Sequence, residues 1–136
     1  VIYKPQLPNG TYRFEYIARD KSDNLADTVR HNLIVNDDLK ILELANYPNP
    51  MTTQTAFMFN LQGGINPRKC TIKIYTVAGR LIKDVIADAK IGYNQIEWDG
   101  RDNDGDNIAN GVYLYKMIIE GDSKIETSTQ KLVILK

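Results

Sequence analysis

Cysteine and histidine are almost missing from this sequence. Cys70 and His31 are single copies in 136 residues. A lone cysteine closes no internal disulfide and leaves the redox compartment open. Catalysis by a cysteine needs a base and an electropositive setting, and no local signature surrounds either residue. Cys70 therefore reads as a small packed residue at a strand start, and His31 as a hairpin residue rather than a metal ligand. An excess of charge of one sign is missing too: 17 basic residues balance 17 acidic ones. Phosphate binding needs a basic excess or stripe, so no nucleic-acid partner is expected. No apolar run approaches the roughly 18 residues of a membrane helix. No direct membrane insertion is therefore expected, and no signal-peptide pattern is present. Helical periodicity is absent as well. No acid–base pair, metal triad or nucleophile–base pair stands out, so the chain is read as non-catalytic and without a cofactor.

What is present is strand alternation interrupted by turn residues. Hydrophobic residues make up 43% of the chain and charged ones 25%, a balance that folds rather than stays disordered. The stretch from Trp98 to Lys116 sets the pattern. Asn94, Ile96 and Trp98 alternate along a strand. Asp99-Gly100 then breaks it, because glycine tolerates positive φ and aspartate hydrogen-bonds its own backbone. Gly105 and Gly111 mark two further turning points. From Val112 the period of two resumes, with Tyr113, Tyr115, Met117 and Ile119 on one face and Leu114, Lys116 and Ile118 on the other.

The same reading predicts strands at 39–44, 53–61, 70–77, 80–87, 93–98, 112–119 and 125–135. Ala78-Gly79 and Glu120-Gly121-Asp122 are turns. Tyr47-Pro48-Asn49-Pro50 is an extended or kinked crossing segment, because proline lacks the amide donor a central strand needs. About seven short strands at this spacing predict an all-β, Ig-like antiparallel β-sandwich over residues 38–136. Phe57, Phe59, Ile72, Ile74, Ile96, Trp98, Tyr113, Tyr115 and Met117 are its predicted core. The eight tyrosines fit core and cross-strand positions. A glycan-binding platform would need them clustered on one exposed face, which a sequence does not display.

Residues 1–37 read as a separate β-hairpin. Leu7-Pro8-Asn9-Gly10 is a turn, 11–19 a strand with Tyr12, Phe14 and Tyr16 on one face, 20–24 a polar turn and 29–35 the returning strand. It resembles the last two strands of an Ig-like domain. A hairpin alone is marginally stable in water. The chain is therefore read as part of a larger protein in which residues 1–37 close a preceding Ig-like domain. The alternative, that these strands join the sheets of the second domain, stays open. Asn36-Asp37-Asp38 is a short polar linker.

Two stretches carry candidate chemistry. Asp99, Asp102, Asp104 and Asp106 fall within one loop, and calcium takes six to eight oxygen ligands. With Gly105 as the loop glycine of an EF-hand, the first ligand position falls on Gly100 and the twelfth on Gly111, where a bidentate glutamate is required. The loop is therefore expected to hold no tight calcium site and to cap its own backbone, with a site of another kind as the alternative. The second stretch is the C-terminal strand, where Leu132, Val133, Ile134 and Leu135 are apolar on both faces. Such a strand suits pairing with a partner through its backbone.

Five segments carry a family resemblance. Asn46-Tyr47-Pro48-Asn49-Pro50, Ile74-Tyr75-Thr76-Val77-Ala78-Gly79-Arg80, Trp98-Asp99-Gly100-Arg101-Asp102, Asn110-Gly111-Val112-Tyr113-Leu114-Tyr115 and Lys131-Leu132-Val133-Ile134-Leu135-Lys136 occur in one order over residues 41–136. Together they resemble the C-terminal sorting domains of the bacterial type IX secretion system and the related Ig-like module of flagellar hook-capping proteins. The wording is closest to the C-terminal end of a gingipain-like cysteine peptidase sortase. The resemblance implies a non-catalytic domain that directs export, with any catalytic residues outside this chain. It implies docking to an outer-membrane barrel protein of the PorV kind, and a place at the cell surface of a Gram-negative bacterium after passage through the periplasm. The rest of the parent chain would be the other partner. Recognition would fall on Lys131, Leu132, Val133, Ile134, Leu135 and Lys136, with Gly111, Tyr113 and Tyr115 shaping the hairpin before them. An assembly module like the hook cap, and a calcium- or glycan-binding module, are the other readings.

Overall fold

The computed structural model describes residues 10–16, 29–35 and 38–136. The chain divides into two compact units, Val1–Asp37 and Asp38–Lys136. In the first, β1 (Gly10–Tyr16) and β2 (Val29–Val35) pair antiparallel, with Phe14 opposite His31. Gly10, expected to end a turn, begins β1; residues 7–9 of that turn, the turn at 20–24, the continuation of the strand over 17–19, the linker at 36–37 and the side chain of His31 lie outside the described residues.

The second unit is an Ig-like antiparallel β-sandwich. One sheet holds β3 (Lys40–Tyr47), β4 (Thr55–Gln62) and β7 (Gly92–Trp98) in the order β3-β4-β7. The other holds β5 (Lys69–Thr76), β6 (Leu81–Ala87), β8 (Gly111–Glu120), β9 (Lys124–Glu126) and β10 (Gln130–Ile134). Its order is β10-β8-β5-β6, and β9 also pairs with β8. Alternation decides which side chains meet between the sheets. Thr55, Phe57, Phe59 and Leu61 are buried along β4, and Ala56, Met58 and Asn60 between them are not. All nine residues expected in the core are buried.

The core also takes Met51, Cys70, Ile108, Ile119, Leu132 and Ile134. The ring of Phe57 joins the sheets: it lies 4.9 Å from Tyr115 edge-on and 6.5 Å from Trp98 in a stacked arrangement. Such aromatic pairs add roughly 0.5–1.5 kcal/mol beyond their buried area. Cys70 is fully buried and unpaired, and burial pushes its thiol up to about 12. It is the packed residue its position suggested. Ile118, placed by alternation on the outer face, is buried as well, flanked in register by Thr71 and Glu126.

Two strands depart from expectation. The first runs to Tyr47 rather than ending at Leu44. It contains a bulge between Leu42 and Ala45, where Glu43 takes a φ of 56°. The single strand expected at 125–135 is two, β9 and β10, both laid along β8. Thr127 causes the break. Its N–H donates to Met117 O and its Oγ1 accepts from Met117 N–H, each at 2.9 Å. A side-chain oxygen thus replaces a backbone carbonyl in the ladder, and the chain detours before β10 resumes.

Candidate functional site

The C-terminal strand is built in from both sides. Inside its sheet, β10 pairs Gln130 with Tyr115, Leu132 with Tyr113 and Ile134 with Gly111. Alternation sends Leu132 and Ile134 into the core, both fully buried, and turns Lys131, Val133 and Leu135 away from it. Tyr115 tightens the pairing, since its hydroxyl donates to Gln130 Oε1 at 3.1 Å, and burial raises the phenol to about 12. Tyr113 is buried too, which raises its phenol, and its hydroxyl donates to Ala109 O at 2.8 Å. That bond fixes the approach to Gly111, whose φ of 154° disfavours a side chain.

The other edge of β10 is closed by the proline segment. Asn49 Nδ2 donates to Lys131 O at 3.1 Å, and Asn49 Oδ1 accepts from Val133 N–H at 2.9 Å. Met51 continues the clasp: its N–H donates to Val133 O at 2.8 Å, and its carbonyl accepts from Leu135 N–H at 2.9 Å. One side-chain amide and one residue of backbone thus act as a short parallel strand. The peptide bonds preceding Pro48 and Pro50 are cis. Farther on, Lys136 N–H donates to Asn110 Oδ1 at 2.9 Å. The expectation that this strand offers its backbone to a partner is corrected here, because the outward groups of Val133 already have partners within the domain. Any partner meets side chains instead.

Sequence reasoning missed Asn49 and Met51. It matched the Tyr-Pro-Asn-Pro wording yet read it as a passive crossing, because the absent proline amides drew attention away from the asparagine between them. Met51 is fully buried and meets Gly100. A Cβ at Gly100, where φ is 74°, would come within 2.9 Å of Met51 Cε. The glycine after Trp98-Asp99 is therefore needed on the clasp's account as well as the turn's.

The nine proposed recognition residues fall into two groups. Tyr113, Tyr115, Leu132 and Ile134 face the core, and Gly111 shapes the backbone beside them. Lys131, Leu135 and Lys136 are exposed and Val133 is half-buried. The second group is the outward part of the set. Lys136 also lines a cleft with Thr52, Thr53, Asp99, Arg101 and Asn107.

The acidic loop spends its polar groups on itself. Asp102 Oδ1 accepts from the N–H groups of Asp104 and Asp106, each at 2.9 Å. Arg101 Nη1 donates to Gly105 O at 2.8 Å, and Arg101 N–H donates to Asp99 Oδ1 at 3.2 Å. Trp98 Nε1 donates to Arg101 O at 2.9 Å, which anchors the loop to the core. Asn103 holds the loop against β6, donating from its N–H to Ile82 O at 3.2 Å and accepting from Asp84 N–H at 3.1 Å. Among the described residues no group of three or more His, Cys, Asp or Glu is placed to hold a metal. Among the described residues the two most exposed tyrosines, Tyr47 and Tyr93, share the outer face of the three-stranded sheet. They stand at opposite corners, roughly 16 Å apart by strand spacing and rise.

Residues 49–122, more than half of the chain, match the family model of the FlgD Ig-like domain. The chain belongs to the FlgD Ig-like domain family. The solved structure of dimeric latent PorU from Porphyromonas gingivalis is similar over 97% of this chain, with a TM-score of 0.66 and 19% identity. PorZ, an essential bacterial surface component of the type IX secretion system of the same organism, aligns over 68% of the chain with a TM-score of 0.45 and 23% identity. The chain spans 13% of the PorU chain and 11% of the PorZ chain. Among curated proteins none matches the sequence. The matched residues take in Asn49 and Met51 of the clasp and stop short of β10. Among the described residues no helix is long and apolar enough to cross a membrane.

Proposed function

We propose that residues 38–136 form a non-catalytic sorting and docking domain of a type IX secretion protein. The parent is a PorU-like cysteine peptidase sortase, with its catalytic residues outside this chain. The domain directs export and holds the parent at the outer membrane, against a PorV-like barrel protein, on the cell surface of a Gram-negative bacterium. One observation carries the reading. The C-terminal strand is fixed by Leu132 and Ile134 inside and by Asn49 and Met51 at its edge, while Lys131, Leu135 and Lys136 stay exposed. Three side chains are thus presented on and just beyond a strand held from both sides, which preorganises them for recognition.

The test separates recognition from folding. Lys131→Ala combined with Lys136→Ala leaves both buried leucine and isoleucine side chains in place. Exposed charges contribute little to stability, so the melting temperature of the purified chain should hold while surface delivery of the parent falls. Normal delivery by this folded double variant would sink the reading. Deleting the last six residues is a poorer test, because it also removes Leu132 and Ile134 from the core. A second reading, an assembly module like the Ig-like part of a flagellar hook cap, draws on the family match itself. It would keep delivery intact and impair assembly of the parent instead.

A further inference from the structure

The outer face of the five-stranded sheet carries an apolar end with no acid in it. Register puts Leu81 on β6, Tyr75 on β5, Leu114 on β8 and Lys131 on β10 in one cross-strand row. The row beyond pairs Val112 with Val133, and Val77 follows at the end of β5. Val77 is 68% exposed, Val112 44% and Leu81 40%. A contiguous exposed apolar patch is more often an interaction site than are apolar side chains scattered singly. The neighbouring row is different in kind. There Lys73 pairs with Asp84 at 3.0 Å, and Lys116 with Glu126 at 3.5 Å. At the apolar end the cations stand alone: among the described residues neither Lys131 nor Arg80 makes an ion pair.

We propose that this end of the sheet, comprising Val77, Leu81, Leu114, Val112 and Val133 with Lys131 and Arg80 at its margins, is the docking surface for a protein partner whose apolar patch is rimmed by carboxylates. The inference rests on the export reading and gives its partner a chemistry. Two unpaired cations beside an acid-free apolar surface are complementary to such a rim, and charge complementarity of this kind sets encounter rate and partner choice. A second copy is the wrong occupant. In a two-fold contact each patch meets itself, which sets Lys131 and Arg80 against cations with no acid between them. A lipid surface fits poorly too, because the apolar side chains lie on a sheet and form neither an amphipathic helix nor a polybasic cluster.

A labelling experiment on the full parent chain tests this. Val112→Cys places a thiol in the patch, and Tyr93→Cys places one on the opposite sheet as a control. Cys70 is buried, so it does not compete for maleimide in the folded domain. Modification is read by mass spectrometry of the peptide that contains the new cysteine. The probe is a purified PorV-like barrel protein in detergent micelles. The expected result is free labelling at position 112 in the parent alone, labelling at least tenfold slower in the complex, and no change at position 93. Arg80→Glu with Lys131→Glu should weaken binding at least tenfold and flatten its salt dependence. Blocked labelling in the parent alone would show that its own domains cover the patch and would overturn the proposal. Equal protection by phosphatidylglycerol vesicles, or by raising the parent's concentration alone, would overturn it in favour of lipid or a second copy. Barrel binding with position 112 still open would overturn it while leaving the export reading standing. No barrel binding, together with normal delivery of the Lys131→Ala, Lys136→Ala variant, would overturn both.

Discussion

The acidic loop and the C-terminal strand both draw the eye in the sequence, and they dispose of their polar groups in opposite ways. In the loop, Asp102, Asn103 and Arg101 turn inward and bond the loop's own backbone or the neighbouring strand. Of its four aspartates, Asp99 and Asp102 bond the loop backbone through their carboxylates. In the strand, backbone groups are satisfied by Asn49 and Met51, and the charged side chains at 131 and 136 are left over. A cluster of like side chains is thus no evidence of a site until its backbone accounts are known. Two lysines beside a closed strand edge are the better candidates, because among the described residues their ammonium groups make no ion pair.

Breaking the core common to both regions should have the largest effect. Trp98 sits under the loop and packs on Phe57, so Trp98→Ala should cost about 3–5 kcal/mol. Chemical denaturation giving less than about 1 kcal/mol would remove Trp98 from the centre of the fold. Next comes the inward half of the strand. Leu132→Ala should cost about 2–5 kcal/mol, or roughly 10 °C or more in melting temperature for a unit of this size. Asn49→Ala removes two bonds to β10 and should cost about 1–3 kcal/mol at roughly 0.5–1.5 kcal/mol per bond. Its sharper readout is hydrogen exchange, which should quicken at Val133 and hold at Ile118.

Alkaline pH sharpens the comparison from another side. The Cys70 thiol rises from 9.0 to about 12 through burial, so the folded chain keeps a proton that the unfolded chain loses. The unfolded state then binds fewer protons, and stability falls as pH rises through that window, by up to about 1.4 kcal/mol per pH unit for this one group. Tyr115, also raised to about 12, adds to the fall at the upper end. Cys70→Ala should flatten the lower part of the decline in denaturation series between pH 9 and 11. The smallest effect belongs to the outward lysines: replacing both by alanine should move stability by no more than about 0.5 kcal/mol.

The sandwich was legible in the sequence because β4, β7 and β8 alternate cleanly, and alternation is a local property. Phe57, Phe59, Ile96, Trp98 and Tyr115 could be placed in the core from spacing alone. The break between β9 and β10 was not legible, since 124–134 is uniformly strand-like and the interruption depends on Thr127 meeting Met117 across the sheet. Nor was the clasp, whose bonds join residues 82 and 84 positions apart. The outward patch was hidden for a similar reason. Val77, Leu81, Val112 and Val133 are scattered along the chain, and only the register of four strands collects them.

The most direct measurement sets inward against outward substitution on the same strand. Melting temperature of the purified chain and surface delivery of the parent are measured together for Leu132→Ala and for Lys131→Ala with Lys136→Ala. The account predicts that the first variant loses stability, while the lysine variant melts like the unaltered chain and still fails to reach the surface. A lysine variant that melts normally and is delivered normally would contradict it, and the domain would then be an Ig-like spacer.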